Sequence, residues 1–363
     1  MIKYNTERYV ITEKNGKLYG QEKEHRILKE DKRVLVHKLT KNLEKSVSDA
    51  FDKINAESVI KKGDIVAIKV NLGGGIHYVP WTYSDPKICE AIIEKVKKMG
   101  ATPFICEADI RSREMTETFY KIRGYWDLIK RQNIKFYNLS KCSTVQMTCF
   151  DLDIPLKLPE ILLHPRVKII SFAPPKHHWE CGITCNQKNM YGAIAEPRKS
   201  IYHRKYDRLE RAVAAAARIM SPDINILATF AFGAGMGPHF CIPIRFNRMI
   251  ISKDMIRGDK VASKILGYPF RLVKYALINT KGKNFSYLLH PASSWPSEET
   301  LKLIKKHSIN FKSVNFWKPA LYVQYFVPHL FQLKGYAHFE FIFTWFNKVF
   351  VQKQKVLLKM KRK

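Results

Sequence analysis

Hydrophobic positions along the chain alternate between two spacings. Residues 64–70 (DIVAIKV) form a short, β-branched apolar run broken by a single lysine, the pattern of a strand buried on both faces. Asn71, Leu72 and the glycines Gly73, Gly74 and Gly75 follow. In residues 86–99 the period lengthens, with Ile88, Ala91, Ile92, Val96 and Met99 falling on one helical face. Ser84 or Asp85 supplies the cap, Pro86 the first turn and Gly100 the stop. A second strand at 102–108 completes a β-α-β unit, for which a right-handed crossover is expected.

The same grammar recurs on either side. Residues 34–37 read as a short strand and 39–60 as a helix with Leu43, Val47, Ala50, Phe51 and Ile54 inward. Further strands are expected at 167–172, 224–230 and 249–252, with an alanine-rich helix at 206–220. Asp254 caps a helix that runs to Leu266 and stops at Gly267. Strands and helices alternating at these lengths specify an α/β fold, a doubly wound, mainly parallel sheet with helices on both faces. Ligands of such sheets sit at the carboxyl ends of the strands.

Three segments are expected. Residues 1–33 are polar apart from Tyr9 to Ile11 and read as a loosely packed N-terminal extension, followed by the α/β domain at 34–282. From 283 to 363 the chain becomes aromatic and basic and reads as a helical region contacting a membrane or a partner. Fourteen of the 40 residues at 311–350 are aromatic, and 351–363 adds Lys353, Lys355, Lys359, Lys361, Arg362 and Lys363. Pro328, Lys334, Glu340 and Lys348 interrupt the apolar runs, which argues against a transmembrane helix.

Charge narrows the partners. The 363 residues carry 63 Lys and Arg against 32 Asp and Glu, a formal charge of +31, while 46% remain hydrophobic. That combination excludes a disordered basic tail protein and a plain neutral metabolic enzyme. Residues 241–363 alone hold 23 basic residues against five acids, a net of +18. The expected partners are an anionic small-molecule or lipid ligand and an anionic membrane surface met through 316–363. Nucleic acid is the less favoured partner: no DNA or RNA module appears, and the aromatics sit in apolar runs instead of interleaving with Arg and Gly. Seven cysteines without disulfide-like spacing, and no signal pattern in residues 1–20, indicate the cytoplasm, with peripheral attachment to the inner face of the membrane as the refinement.

Candidate chemistry falls in three sets. Lys69 and Asn71 stand at the mouth of a strand opening onto glycines, Gly74 among them, where backbone amides and an ammonium can meet an anion. The second set follows Phe172: Pro174, Pro175, Lys176, His177, His178 and Trp179, then Cys181, Thr184, Cys185, Lys188, Asn189 and Gly192. His178, Cys181 and Cys185 have a spacing that suits zinc or an iron–sulfur centre, yet no second ligand pair exists, so no metal is expected. Gly233, Gly235, Gly237, Pro238 and His239 form a third set after a predicted strand, without the helix start that a dinucleotide fingerprint needs. His178, His203 and Lys188 are the candidate proton-transfer and catalytic groups. Lys69, Asn71, Gly74, Lys176, Asn189, Gly235, Gly237, Asp254 and Asp259 are the candidate ligand-binding residues, although Asp254 reads equally as a helix cap and Asp259 as a surface carboxylate.

In this order the sets resemble the family called Domain of Unknown Function 362. The matching residues are 65–71 (IVAIKVN), the helix-Gly100-strand unit ending at Glu107, Lys176-x-His178, Lys188-Asn189-x-x-Gly192 with His203 behind it, the Gly235-Met236-Gly237-Pro238 loop, and Asp254 with Asp259 ahead of Leu266-Gly267. The resemblance covers residues 34–281. Two departures accompany it. Relatives carry an aspartate at the end of the strand before the glycine loop, where this chain has Ala228 and Thr229, and many carry a ferredoxin-like cysteine cassette that is absent here.

The reading is therefore an enzyme, or former enzyme, that binds an anionic small molecule or lipid head group in a Lys/His/Asn-lined cleft. The alternatives are an iron–sulfur or metal-associated redox protein and a basic nucleic-acid-binding protein. No cofactor fingerprint is complete, no reaction type can be named, and the oligomeric state is not set by the sequence.

Overall fold

The computed structural model describes residues 1–24, 27–73, 80–109, 117–178, 180–197, 199–203, 207–237 and 240–308. Its centre is an eight-stranded sheet. The strand order is Leu288–Leu289, Arg33–Lys38, Phe240–Ser252, Ile224–Met236, Val167–Ala173, Ile65–Lys69, Thr102–Glu107 and Phe136–Asn138. Five of its seven strand pairings are parallel, and the two antiparallel ones both involve Phe240–Ser252.

Side chains alternate between the faces of this sheet, which divides the core in two. Val66, Ile68, Ile105, Ile170, Phe172 and Ile226 pack against Phe51 of the helix Leu43–Lys53, Ile92 of Pro86–Lys98 and Leu128 of Tyr125–Gln132. Ala67, Cys106, Ile169, Ala173 and Leu227 face the other way, toward Met190 of Asn186–Gly192, Val213 of Arg208–Ile219 and Ile256 of Met255–Leu266. Helices thus cover both faces. Lys69 follows Ala67 by two residues and so shares the face of Asn186–Gly192.

Most local signals act as expected. Asp85, not Ser84, caps Pro86–Lys98, accepting from the Lys87 N–H at 2.8 Å. Gly100 and Gly267 take positive φ, +77° and +67°, where the two helices stop. The first helix is shorter than its periodicity suggests: Asn42 caps Leu43–Lys53, and only a short 3-10 turn, Ala56–Ser58, continues it.

Two expectations are corrected. The N-terminal residues are not a loosely packed extension: Ile2–Asn5, Tyr9–Lys14 and Lys17–Glu22 form a meander that pairs with Thr144–Thr148 and, through it, Leu156–Pro159 in a five-stranded sheet. Its alternating residues Tyr9, Ile11 and Leu18 join the core, and Arg218 ties it down through Glu22 at 2.7 Å and Asp151 at 2.8 Å. The glycine segment after residue 230 is not a loop at a strand end. Ile224–Met236 runs through Gly233 and Gly235 and forms a long antiparallel hairpin with Phe240–Ser252, with a register irregularity between Thr229 and Ala231; Pro238 and His239 lie outside the described residues. The glycines serve close packing: a Cβ on Gly233 would lie 2.7 Å from Cys241 Sγ, and one on Gly237 2.2 Å from the His177 carbonyl oxygen.

Beyond residue 282, Leu288–Leu289 extends the edge of the main sheet beside Arg33–Lys38, and helix Glu298–Lys306 buries Ile304. The segment 309–363, and with it the expected membrane contact at 316–363, lies outside the described residues. Among the described residues no helix is long and apolar enough to cross a membrane.

Candidate functional site

Three adjacent parallel strands end at one edge of the sheet and deliver their polar residues there. Ile65–Lys69 ends in Lys69 and leads to Asn71, Thr102–Glu107 ends in Glu107 and leads to Asp109, and Val167–Ala173 carries Ser171 and leads to Lys176. Parallel register makes this convergence automatic, because Lys69 pairs with Cys106 on one side and Ser171 on the other.

At the centre is a buried ion pair, Lys69 Nζ to Glu107 Oε1 at 2.5 Å. The ammonium also donates to the Val70 carbonyl at 2.7 Å. Glu107 accepts in addition from the Leu72 N–H at 3.1 Å and the Ala108 N–H at 3.0 Å, so its oxygens are satisfied without water. Arg123, also buried, donates to the Leu72 carbonyl at 2.7 Å and lies against the Phe119 ring.

The Lys188-Asn189-x-x-Gly192 element is explained by this pair. Asn189 and Gly192 are three residues apart on helix Asn186–Gly192 and therefore share a face. The Asn189 amide donates to the Lys69 carbonyl and to Ser171 Oγ, both at 3.0 Å, tying the helix to two strand ends. Its Oδ1 accepts from Asn71 Nδ2 at 3.3 Å and from Lys69 Nζ at 3.4 Å. At Gly192 a Cβ would come within 3.0 Å of Lys69 Nζ and 3.4 Å of Glu107 Oε1, so the absence of a side chain there makes room for the ion pair.

Asn71 extends the network outward. Its Oδ1 accepts from Lys176 Nζ at 2.9 Å, and Lys176 also donates to the Thr82 carbonyl. Ser84 holds the Asn71 backbone, accepting from its N–H at 2.8 Å while donating to the Phe172 carbonyl at 2.8 Å. On the other flank Lys199 donates to the Asp109 carbonyl at 2.5 Å and the Gly192 carbonyl at 3.1 Å. Burial lowers both amines to about 7, with the neighbouring cations Lys188 and Arg123 adding to the effect at Lys176 and Lys69 at Lys199. Lys69, Arg123, Lys176 and Lys199 are thus four buried basic groups beside two buried carboxylates, Glu107 and Asp109.

A second group adjoins this one. His203 Nδ1 is 2.7 Å from Glu180 Oε1, its Nε2 is 3.4 Å from the Tyr191 hydroxyl, and Tyr191 in turn reaches the Lys199 carbonyl at 3.3 Å. A carboxylate on Nδ1 leaves Nε2 as the nitrogen that can exchange a proton, the arrangement of a positioned general base.

The fold brings Lys69, Asn71, Lys176 and Asn189 together and sets His203 beside them. Lys188 is half-buried, with its ammonium 5.9 Å from the Tyr191 ring centroid. His178 spends Nδ1 accepting from the Glu180 and Cys181 N–H groups, and Cys185 is buried with its thiol pushed up by that burial. Among the described residues no three His, Cys, Asp or Glu side chains converge as metal ligands. Gly235 donates its N–H to His177 Nδ1 at 3.0 Å, and Gly237 packs on the His177 carbonyl. Gly74 lies outside the described residues.

Asp254 and Asp259 are placed in helix caps. Asp254 caps Met255–Leu266, accepting from the Arg257 N–H at 2.8 Å and the Lys29 N–H at 2.7 Å. Asp259 is fully buried, not a surface carboxylate. It accepts from the backbone N–H and side-chain amide of both Asn186 and Gln187, at 2.9 to 3.2 Å, and so caps the site helix. Burial raises its carboxyl to about 6.

Sequence reasoning passed over Glu107 as a site residue and missed Lys199, Glu180 and Tyr191. Glu107 carries the same signal as Lys69, a charge closing an apolar strand, whereas Lys199 and Glu180 lie in segments with no periodicity to betray them.

A model of the family described as Domain of unknown function (DUF362) matches residues 66–264, which span every strand end and helix of the site. The chain is also 22% identical over 227 residues to a thylakoid-associated protein of Synechocystis sp., an alignment covering 57% of this chain and 64% of that protein. The chain thus spans less than two thirds of the length of that curated relative.

Proposed function

The chain belongs to the DUF362 family, and we propose that it binds an anionic small molecule or lipid head group at the strand ends around Asn71, Lys176 and Asn189. The observation that carries this reading is the excess of buried basic groups: Lys69 has its carboxylate, whereas Lys176 and Lys199 are held by neutral oxygens. Among the described residues neither amine has a carboxylate within ion-pair distance, and an acidic ligand would supply one in a site of low dielectric, favouring the charged amine. His203, oriented by Glu180, is the proton-transfer group of this reading.

Calorimetric titration with inorganic phosphate and with oxalate tests it. Binding that weakens at least about tenfold in Lys176→Met and in Asn71→Ala supports the site, since a charge-assisted hydrogen bond contributes about 1.5–3 kcal/mol. Equal affinity in the wild type and both variants refutes it.

A membrane-facing role has its own support. The relative in Synechocystis sp. is named as thylakoid-associated, and residues 316–363 combine aromatic residues with a basic terminus. Flotation with anionic vesicles should retain the protein at low salt, and replacing Lys353, Lys355, Lys359, Lys361, Arg362 and Lys363 by Gln should release it. Retention of the neutralised variant removes this second reading.

A further inference from the structure

Lys176 differs from the other buried lysines in what surrounds its amine. It leaves the short strand Lys176–His178, which pairs antiparallel with Gly182–Thr184 so that Lys176 stands directly opposite Thr184. Directly opposed residues project from the same face of a hairpin, so the Thr184 hydroxyl is beside the lysine side chain. Thr184 is 3% exposed, and its Oγ1 finds no hydrogen-bond partner. The buried Nε1 of Trp81, one residue before Thr82 in the chain, also finds no hydrogen-bond partner. The orphaned Thr184 hydroxyl, on the Lys176 side of this hairpin, calls for a polar group that would satisfy it.

The chemistry of the amine narrows that group. Lys176 donates only to neutral oxygens, Asn71 Oδ1 and the Thr82 carbonyl, while Lys188 and Arg123 are its charged neighbours of like sign. Like-charged neighbours and desolvation favour the neutral amine, the nucleophilic form. The same neighbours favour a ligand that brings negative charge.

We infer that Lys176 forms an imine with a small carbonyl compound that carries an acidic group. This rests on the anion-binding reading above and names its substrate class. The Lys176 nitrogen adds its lone pair to the carbonyl carbon, and the carbonyl oxygen takes up a proton to give a carbinolamine. The C–O bond then breaks, and that oxygen leaves as water with the protons lost from nitrogen. No electrons change hands. Arg123 and Lys188 face the acidic group, and the Thr184 hydroxyl supplies a hydrogen bond to it or to the departing oxygen.

Glyoxylate, a two-carbon aldehyde acid, is the probe, with sodium cyanoborohydride to reduce any imine to carboxymethyl-lysine and peptide mass mapping to locate it. At neutral pH an exposed lysine is almost wholly protonated, whereas burial brings Lys176 to about 7. Labelling at Lys176 should therefore exceed that at the exposed Lys14 by at least about tenfold. Oxalate, which has the acids without the reactive carbonyl, should suppress it. Lys176→Met should abolish labelling at this position with its thermal unfolding midpoint retained, and acetaldehyde, which lacks an acid, should label Lys176 poorly.

Three results overturn the inference in distinguishable ways. If oxalate binds in a Lys176-dependent manner but glyoxylate never labels Lys176, the imine is wrong and the anion site stands. If acetaldehyde labels Lys176 as well as glyoxylate does, the acidic group is wrong. If neither oxalate nor glyoxylate binds, the anion-binding reading fails and the imine with it.

Discussion

The ammonium of Lys69 lies 2.5 Å from the carboxylate of Glu107, with both side chains at most 4% exposed. Removing one member of such a pair leaves the other charged in a place built for two. Glu107→Gln and Lys69→Met should each lower stability by about 3–5 kcal/mol in urea unfolding. The double variant Lys69→Met/Glu107→Leu should cost clearly less than the sum. Additive losses would mean the two groups are not coupled.

Gly192→Ala tests the close approach of the site helix. Alanine in a helix ordinarily gains about 1 kcal/mol over glycine. Here its Cβ meets Lys69 Nζ at 3.0 Å, so crowding should reverse the sign and give a net loss of about 1 kcal/mol or more. A stabilised variant would show that the pair shifts freely.

The buried amines predict a dependence on alkaline pH. Burial lowers Lys176 and Lys199 to about 7 in the folded protein, while unfolded lysines titrate near 10.4. Between those values the unfolded chain binds more protons, so these two groups make stability rise with pH above about 7, and their penalty is complete below it. Buried thiols such as Cys241, raised to about 12, act in the opposite sense at high pH. The measurement is therefore a difference: urea midpoints of the wild type minus those of Lys176→Met/Lys199→Met, which should climb from pH 7 to pH 9.

Asp259 reaches the site only through the helix it caps. Asp259→Ala strips four N–H donors at Asn186 and Gln187 of their acceptor and should cost about 2 kcal/mol or more, with Asp259→Asn in between. If Asp259 acted only as a cap, anion affinity measured well below the unfolding midpoint would fall little in Asp259→Asn.

Arg218 fastens the N-terminal sheet, bonding Glu22, Asp151 and Asn279 at 2.7 to 3.0 Å. Arg218→Met leaves the buried Glu22 carboxylate without its counter-ion and should destabilise by about 3–5 kcal/mol. Limited proteolysis should then cut within residues 1–24 before the central sheet opens. Unchanged protection would show that Tyr9, Ile11 and Leu18 hold the meander alone.

How much was legible in advance varied with the range of the signal. The strand Ile65–Lys69 and the helix Pro86–Lys98 were readable because period, cap and stop all lie within a few residues of one another. Lys69 and Asn71 were readable as site residues because a charge in an apolar run is conspicuous and parallel sheets expose such residues at one edge. The meander at 2–22 was not, since its strands are short and alternate polar with apolar residues, and their burial depends on a partner strand more than 100 residues away. The hairpin through Gly233 was misread as a loop because glycine signals a turn locally, whereas here Gly233 answers the crowding of Cys241 and Gly237 that of the His177 carbonyl, both from other elements.

From the sequence alone followed the α/β class, the family resemblance, the surplus of basic charge and a set of strand-end residues, all properties of local pattern or composition. The tertiary structure decided which of those residues meet. It joined Lys69 to Glu107 across neighbouring strands, made Gly192 the space that admits them, set Lys176 on Asn71, and turned the buried Asp259 into the cap of the site helix. Pairing, burial and the resulting shifts in proton affinity are sums over neighbours distant in the chain, and only the folded arrangement supplies those neighbours.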